Sequence, residues 1–325
     1  MRLHNKSVIS SVIYKVKQFL LLPILLLCAA LVKAQQDVSF AHYWAMEPSF
    51  NPAAVGKENK INTAGAYALQ MAGFEHNPKT MYFAGDMPFY AFGQRHGVGL
   101  QLINDDIGLF SHKRVGIQYA FKKSLFGGTL SLGLQASLLS ESFKGSELDL
   151  NDTSDQLFTK ADITGTGIDF SAGLYYQHGA WYVGVSALHV TSPTVEMGER
   201  NEFLISPTYY LTGGYNIQLR NPFLSIQTSV LGRTDGVAWR ADVTGRLKYT
   251  HEKRVMYAGL SVSPTNSVTV IVGGNIHGVH LGYSYEIYTS AISPGNGSHE
   301  LFVGYQTELN FVKKGRNLHK SVRIL

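Results

Sequence analysis

Few residues of the 325-residue chain combine the types and spacing that catalysis or metal binding needs. His277 and His280 are three positions apart, which on a β-strand places their imidazoles on opposite faces. They could share a metal ion only if a turn reoriented one of them. Asp105 and Asp106 form a carboxylate pair, but neighbouring side chains on a strand also diverge. We therefore interpret this pair as a hydrated entrance to a loop.

Two other patterns resemble known chemistry only loosely. The glycines of "GTGIDFSAG" at 165–173 have a nucleotide-like spacing, but no helix is predicted after them to hold phosphates. A strand with small inward residues explains the stretch better. Ser171 or Ser298 with a histidine could imitate a barrel hydrolase, yet no spacing favours this. The sequence predicts a non-enzymatic protein with no catalytic residue, cofactor or metal.

The first 34 residues have the pattern of a secretory signal peptide. Residues 1–18 contain four basic residues and no acid, the apolar run "FLLLPILLLCAALV" is too short to span a bilayer, and Ala34 offers a small residue for cleavage. A membrane-anchoring helix is the alternative. Because Leu27 rather than a small residue precedes Cys28, we do not expect lipidation.

Removal of this leader changes the composition. Cys28 is the only cysteine, so the mature chain would have no disulfide and no cysteine metal site. Five of the 28 basic residues and none of the 23 acids lie in the leader, which leaves 23 of each sign. The balance gives no argument for a nucleic-acid partner. Two modest basic clusters remain, at 112–114 and in the tail 312–325.

The mature chain alternates apolar and polar or small residues almost throughout. In "GTLSLGLQASLLS", for example, Leu130, Leu132 and Leu134 share a face that opposes Ser131 and Gln135. Fourteen segments have this period: 61–73, 79–87, 95–105, 112–122, 128–141, 165–177, 180–190, 207–219, 223–233, 237–249, 253–263, 267–275, 278–289 and 299–311.

The length of these segments predicts the fold class. Most exceed the roughly 5–6 residues of an average soluble strand and match the roughly 9–11 that cross a bilayer at a tilt. We predict an all-β protein: a single transmembrane antiparallel β-barrel of about 14 strands at 61–311, after a periplasmic N-terminal segment at 35–60. A secreted β-sandwich is the alternative.

The connections favour the same fold. With the N-terminus in the periplasm, the even-numbered connections are periplasmic and short: "PFYAFGQ", "KSLFG", "HG", "RNP", "THEK" and "IHG". The odd-numbered connections include every long loop, notably 142–164 and 190–206. Short periplasmic turns and longer outer loops are typical of outer-membrane barrels. The sequence thus predicts an outer-membrane protein of a Gram-negative bacterium.

Four stretches resemble the PorP/SprF family of type IX secretion system membrane proteins. They are "QQDVSFAHYWAMEPSFNPAAVG", "GVGLQLINDDIGLFS", "WYVGVSALHVTSP", and the C-terminal pair "LGYSYEIYTSAI" and "GNGSHELFVGY". Within the last pair, the family's G-S-H-E motif is matched by Gly297, Ser298, His299 and Glu300. Glu286 stands where the family has aspartate, and the basic tail extends beyond the point where many members stop. The resemblance covers essentially the whole mature chain.

The resemblance implies a role in Bacteroidetes protein secretion, in some members with gliding motility. Such proteins look like outer-membrane anchors that couple secretion machinery or cargo to the membrane. Implied partners are a periplasmic lipoprotein ring, an OmpA-like peptidoglycan-binding adaptor, and secreted cargo with a C-terminal sorting domain.

Segment 37–56 and the tail are the predicted partner surface, since both fall outside the strands. We expect "EPSFNPAAVG" at the periplasmic mouth as a cap or partial plug, or as a structural lead-in to the first strand. The candidate contacts are Phe40, Tyr43, Trp44, Phe50, Asn51, Pro52, Lys313, Lys314 and Arg316. A diffusion porin, or a hydrophobic-solute channel of the fatty-acid-transporter kind, remains the alternative function.

Overall fold

The computed structural model describes residues 37–147, 162–198, 201–252, 254–264, 266–290 and 296–309. The predicted signal peptide 1–34, the tail 312–325 and most of the loop 142–164 lie outside the described residues.

Within this part of the chain, fourteen strands form one closed antiparallel barrel, in which the first and last strands pair. A separate two-stranded hairpin, β8 with β9, interrupts the order, so β7 pairs directly with β10. The strands are β1 Lys60–Leu69, β2 Lys79–Ala91, β3 Gln94–Ile107, β4 Phe110–Leu125, β5 Gly128–Phe143, β6 Ile163–His178, β7 Trp181–Leu188, β8 Thr194–Met197, β9 Asn201–Leu204, β10 Thr208–Gln218, β11 Leu224–Thr234, β12 Trp239–His251, β13 Arg254–Ser263, β14 Ser267–Ile276, β15 Val279–Tyr288 and β16 Ser298–Glu308.

Each of the fourteen predicted segments is a barrel strand, which confirms the predicted fold. Two local features differ from the prediction. Most of the expected turn "PFYAFGQ" is strand, because β2 and β3 pair up to Ala91 and Gln94 and leave a two-residue turn at 92–93. The long connection 189–207 contains the hairpin β8–β9, whose four-residue strands are too short for a reliable period-2 signal.

The two faces of the barrel wall have opposite chemistry. On β5, Leu134 and Leu138 are exposed on the outer face, whereas Ser131, Gln135 and Ser137 are buried towards the lumen. An apolar outer band and a polar interior are the arrangement that lets a barrel sit in lipid. No helix among the described residues is long and apolar enough to cross a membrane.

The two ends of the barrel differ in their connections. One end, the short-turn end, carries 92–93, 126–127, 179–180, 219–223, 252–253 and 277–278. The other, the long-loop end, carries 70–78, 108–109, 144–162, 189–207, 235–238, 264–266 and 289–297. The longest connections all lie at one end, as the sequence predicts.

Candidate functional site

Residues 37–56 lie inside the barrel, and we call this segment the plug. Its first residue is at the long-loop end, where the Asp37 carboxylate lies 3.6 Å from Arg114. Its last residue is at the short-turn end, where the Gly56 amide donates to Asp86 at 2.7 Å. The plug therefore runs the length of the lumen. This corrects the expected position of "EPSFNPAAVG" at the mouth of the barrel, because the polar lumen offers hydrogen-bond partners to its irregular backbone.

The plug is compact because it folds into three one-turn 3₁₀ helices: Tyr43–Ala45, Glu47–Ser49 and Pro52–Ala54. Pro48 and Pro52 stand in the first turns of the second and third, where a missing amide costs nothing. The Asn51 side chain caps the third by accepting from the Ala53 amide at 2.9 Å. The kinked sequence thus builds turns that fit the width of a barrel.

Glu300 on β16 holds the long-loop half of the plug. Its carboxylate accepts from the Ala41 amide at 2.6 Å, the His42 amide at 3.0 Å and His42 Nδ1 at 2.6 Å. The His42 ring also stacks on Phe302, with 5.3 Å between the centroids. Both Glu300 and His42 are buried, so these charge-assisted bonds form away from bulk water.

A buried charge cluster surrounds the first residue of the plug. Asp37 accepts from the Tyr210 hydroxyl at 3.1 Å, and its carboxylate lies 3.7 Å from His189 Nε2. Burial would raise the pKa of Asp37, but Arg114 and His189 outweigh it and hold that pKa well below its ordinary value. Burial would lower the pKa of His189, but Asp169, 3.0 Å away, and Asp37 raise it. The plug therefore begins in a mutually stabilised ion cluster.

Near its middle the plug contacts another part of the wall through the aromatic side chains Tyr43 and Trp44. The Tyr43 hydroxyl lies 3.1 Å from Ser229 Oγ and 3.0 Å from Thr244 Oγ1. The Arg246 guanidinium stacks on the Trp44 ring, 3.5 Å from its centroid. These contacts join the plug to β11 and β12, far from Glu300 in sequence.

The Asn51-Pro52-Ala53 element rests on glycines of the wall. Asn51 Nδ2 donates to the Leu174 carbonyl at 3.0 Å. A Cβ at Gly133 would stand 2.1 Å from the Ala53 nitrogen, and one at Gly173 would stand 2.1 Å from Asn51 Oδ1. Only glycine lets the plug approach the wall so closely. Inward-facing glycines on the barrel strands are therefore a sequence signal for a close contact between plug and wall. The alternation of apolar and polar residues did not reveal this signal by itself.

The candidate partner contacts on the plug are mostly enclosed by the barrel. Those that are buried are Phe40, Tyr43, Phe50, Asn51 and Pro52, and Trp44 is partly buried. They face the wall rather than solvent, so a partner could reach them only if the plug left the lumen. Lys313, Lys314 and Arg316 lie outside the described residues. A partner-binding role for these positions stays a prediction.

The four stretches that carry the family resemblance all meet at the plug. The first is the plug itself. In the second, a Cβ at Gly97 would stand 2.2 Å from the Val55 carbonyl oxygen. In the third, Ser186 Oγ donates to the Phe50 carbonyl at 2.6 Å. In the fourth, Glu300 binds the backbone at 41–42.

The rest of the G-S-H-E motif shapes the loop before β16. Gly297 has a positive φ of 59°, Ser298 Oγ lies 2.7 Å from the Tyr288 hydroxyl, and His299 Nδ1 lies 2.7 Å from the Tyr283 hydroxyl. A positive φ of this size favours glycine. The motif therefore places Glu300 at the start of its strand.

The residues considered for chemistry do not assemble a reactive site. His277 lies in a turn, and His280 Nε2 is 2.7 Å from Asn275 Nδ2. Asp105 accepts from Thr80 and Asp106 from Asn104, so the two carboxylates have separate partners. Among the described residues, no group of three His, Cys, Asp or Glu side chains is placed to hold a metal ion.

A closed barrel with an apolar outer face and a polar, plugged lumen defines an outer-membrane β-barrel protein. Residues 32–305 match the family described as type IX secretion system membrane protein PorP/SprF. The chain therefore belongs to this family, which confirms the resemblance inferred from its motifs and the outer-membrane location.

Three solved structures with a similar fold are distant in sequence. The CymD monoaromatic hydrocarbon channel is 9% identical, with a TM-score of 0.49 over 84% of this chain and 94% of that one. The Pseudomonas putida toluene transporter TodX is 10% identical, with a TM-score of 0.48 over 84% and 95%. A Pseudomonas aeruginosa FadL homologue is 9% identical, with a TM-score of 0.46 over 80% and 93%. No curated protein sequence matches the chain.

Proposed function

We propose that this protein is a plugged outer-membrane anchor that couples type IX secretion components, or their cargo, to the membrane without being the conduit or an enzyme. Family membership supports the secretion role. The observation that carries the anchoring role is the plug, which runs through the lumen from the Asp37 cluster to Gly56. Many specific contacts hold the plug inside the lumen, where it obstructs the passage of solute. Such a barrel is better suited to holding a partner than to transport.

The short-turn end offers a surface for such a partner. Phe92 and Phe126 stand at the tips of the turns after β2 and β4, with 99% and 86% of their surfaces exposed. Both have positive φ, 51° and 48°, and each precedes a glycine that also has positive φ. Two-residue hairpin turns of this kind favour Asn, Asp or Gly, and a bulky residue there is strained. Strain together with full exposure supports a binding role.

This surface replaces the plug aromatics as the first candidate contact, with the tail 312–325 as the second. With the short-turn end in the periplasm, as barrels of this class are oriented, the partners are periplasmic. The lipoprotein ring and the OmpA-like peptidoglycan-binding adaptor are the components proposed for this end. Cargo with a C-terminal sorting domain is proposed for the long-loop end.

The test combines Phe92→Ser with Phe126→Ser and compares the double variant with Phe74→Ser. Phe74 is also an exposed aromatic residue, but it lies in the connection 70–78 at the long-loop end. We expect all variants to show heat-modifiable folding, and only the double variant to lose co-purifying periplasmic proteins and extracellular cargo. Equal partner recovery from both would refute the proposed surface. Absence of any secretion component in a wild-type pull-down would refute the anchoring role.

One observation favours transport of a small apolar solute as a second candidate. A cavity of about 280 Å³ lies at the long-loop end beside the start of the plug. The apolar part of its lining includes Ile103, Phe110, Leu139 and Phe203, and the Asp37, Arg114 and His189 cluster lines another part. Uptake of a radiolabelled aromatic hydrocarbon into vesicles that contain the purified barrel distinguishes the candidates. Uptake above that of empty vesicles supports transport, and its absence supports the anchor.

A further inference from the structure

A second cleft lies at the short-turn end, between the C-terminal end of the plug and the strands β4, β5 and β6. It has a volume of about 440 Å³, and its charged lining residues are Lys57, Arg95 and Lys122. Among the residues that the structure describes, no acidic one lines it. The rest of the lining includes the hydroxyl side chains of Ser124, Thr129 and Ser131. Ammonium, guanidinium and hydroxyl donors around one space are the chemistry that binds an oxyanion.

Two of the three cations have no acidic partner. Lys57 is paired with Glu47, whereas no carboxylate among the described residues lies within 4.0 Å of Arg95 or Lys122. The nearby Asp86 carboxylate instead accepts from the Gly56 amide and from Asn62. Lys122 is 2% exposed and has no ion-pair partner among the described residues, so burial disfavours its ammonium form. Such a charge is costly unless an anion or strong acceptors compensate it.

The protein satisfies these cations only in part. Lys122 Nζ donates to the Ala53 carbonyl at 3.2 Å and to Ser131 Oγ at 3.1 Å, which leaves one of its three donors. Arg95 Nη2 donates to the carbonyls of Gly56 and Lys57 at 2.9 and 2.8 Å. Arg95 Nε is buried and has no protein partner. Holding the plug therefore uses some of the donors of these two cleft-lining residues and leaves others without a partner among the described residues.

From this arrangement we infer that the cleft binds a phosphate group. Arg95 and protonated Lys122 together carry two positive charges, and a phosphate monoester carries about −1.5 to −2 at neutral pH, so a bound phosphate would favour the charged form of Lys122. A bound phosphate would compensate Lys122 and Arg95 while they keep their bonds to the plug. The phosphate could belong to a soluble periplasmic compound or to a lipid headgroup. Its chemistry at the cleft is the same in either case.

The test is a calorimetric titration: inorganic phosphate is added to the purified full-length barrel in a buffer that contains no phosphate, and the heat of binding is measured. We expect saturable binding that Lys122→Gln and Arg95→Gln each weaken about tenfold or more, the effect of one charge-assisted hydrogen bond. Lys123→Gln is the matched control, because Lys123 is the next residue on β4 and is exposed on the outer face. Its affinity for phosphate should stay within about twofold of the wild-type value.

Heat-modifiable migration identifies folded variants, and Arg95→Gln decides the test if Lys122→Gln does not fold. Absence of saturable phosphate binding by the wild type, or equal weakening by Lys123→Gln, would overturn the inference. Binding of an acidic peptide without binding of phosphate would also overturn it, in favour of a protein partner.

The same titration in vesicles identifies the source of the phosphate. Vesicles of phosphatidylcholine alone are compared with vesicles that also contain phosphatidic acid. If a headgroup fills the cleft, phosphatidic acid competes and weakens the apparent phosphate affinity. Equal affinity in both supports a soluble compound as the ligand.

Discussion

Replacement of Glu300 by alanine should loosen the long-loop half of the plug while the barrel stays closed. The substitution removes the acceptor of the Ala41 and His42 amides and of His42 Nδ1. Each buried amide that loses its partner costs about 1–3 kcal/mol, so two would cost about 2–6 kcal/mol if no water replaced the carboxylate. Glu300 lines a cleft of about 250 Å³ at this end, which has room for water.

We therefore expect a cost near the lower end of that range, about 2–3 kcal/mol. At 1.4 kcal/mol per factor of ten, this free energy corresponds to about 30- to 140-fold more frequent opening of the plug. Hydrogen exchange at Ala41 and His42, measured by mass spectrometry on a peptide from the plug, should accelerate by this factor. Strand peptides should exchange as in the wild type, because no ladder hydrogen bond is removed.

Glu308→Ala is the matched control for this experiment. Glu308 ends the same strand at the short-turn end, is exposed, and does not contact the plug. Unchanged exchange at Ala41 and His42 in Glu300→Ala would refute the assignment of Glu300 as the clamp. Equal acceleration in both variants would show that exchange reports the strand rather than the plug.

Three further predictions concern the packing of the plug, the charge cluster at its start and the orientation of the barrel. Gly133→Ala should destabilise the plug by about 1–3 kcal/mol, because the new methyl group overlaps the plug backbone. Gly245→Ala is the control and should have no such effect, since no described atom lies within 4 Å of a Cβ there. The midpoint of denaturant unfolding measures both variants. The raised pKa of His189 stabilises the start of the plug below its ordinary value of 6.5, and this stability is lost as pH rises through the raised pKa. Plug exchange, corrected for intrinsic rates, should therefore accelerate above that pKa, and His189→Gln should abolish the dependence; a pH-independent wild type would contradict it. An epitope inserted at Ser154 should be accessible on intact cells and one at 220–222 should not; reversed accessibility would invert the barrel.

Alternation by itself determined the barrel. On β5, the leucines that face lipid and the serines and glutamine that face the lumen occupy strictly alternate positions. A strand turns successive side chains to opposite faces. This local rule therefore predicts where each strand lies, which of its faces meets lipid, and approximately where it ends. The hairpin β8–β9 escaped prediction because its four-residue strands carry too few repeats of the pattern.

The position of the plug was decided only by the tertiary structure. The sequence "EPSFNPAAVG" specifies two tight turns, through its prolines and the cap at Asn51, but nothing local specifies which surface they meet. That surface is made by residues distant in sequence, such as Leu174 and Ser186, which surround a lumen only after the barrel has closed. Aromatic side chains that look like an exposed binding surface in the sequence are therefore buried. The lumen exists only after all the strands have paired into a closed barrel. The turns of the plug fit this space, and its hydrogen-bond donors bind groups of the lumen wall.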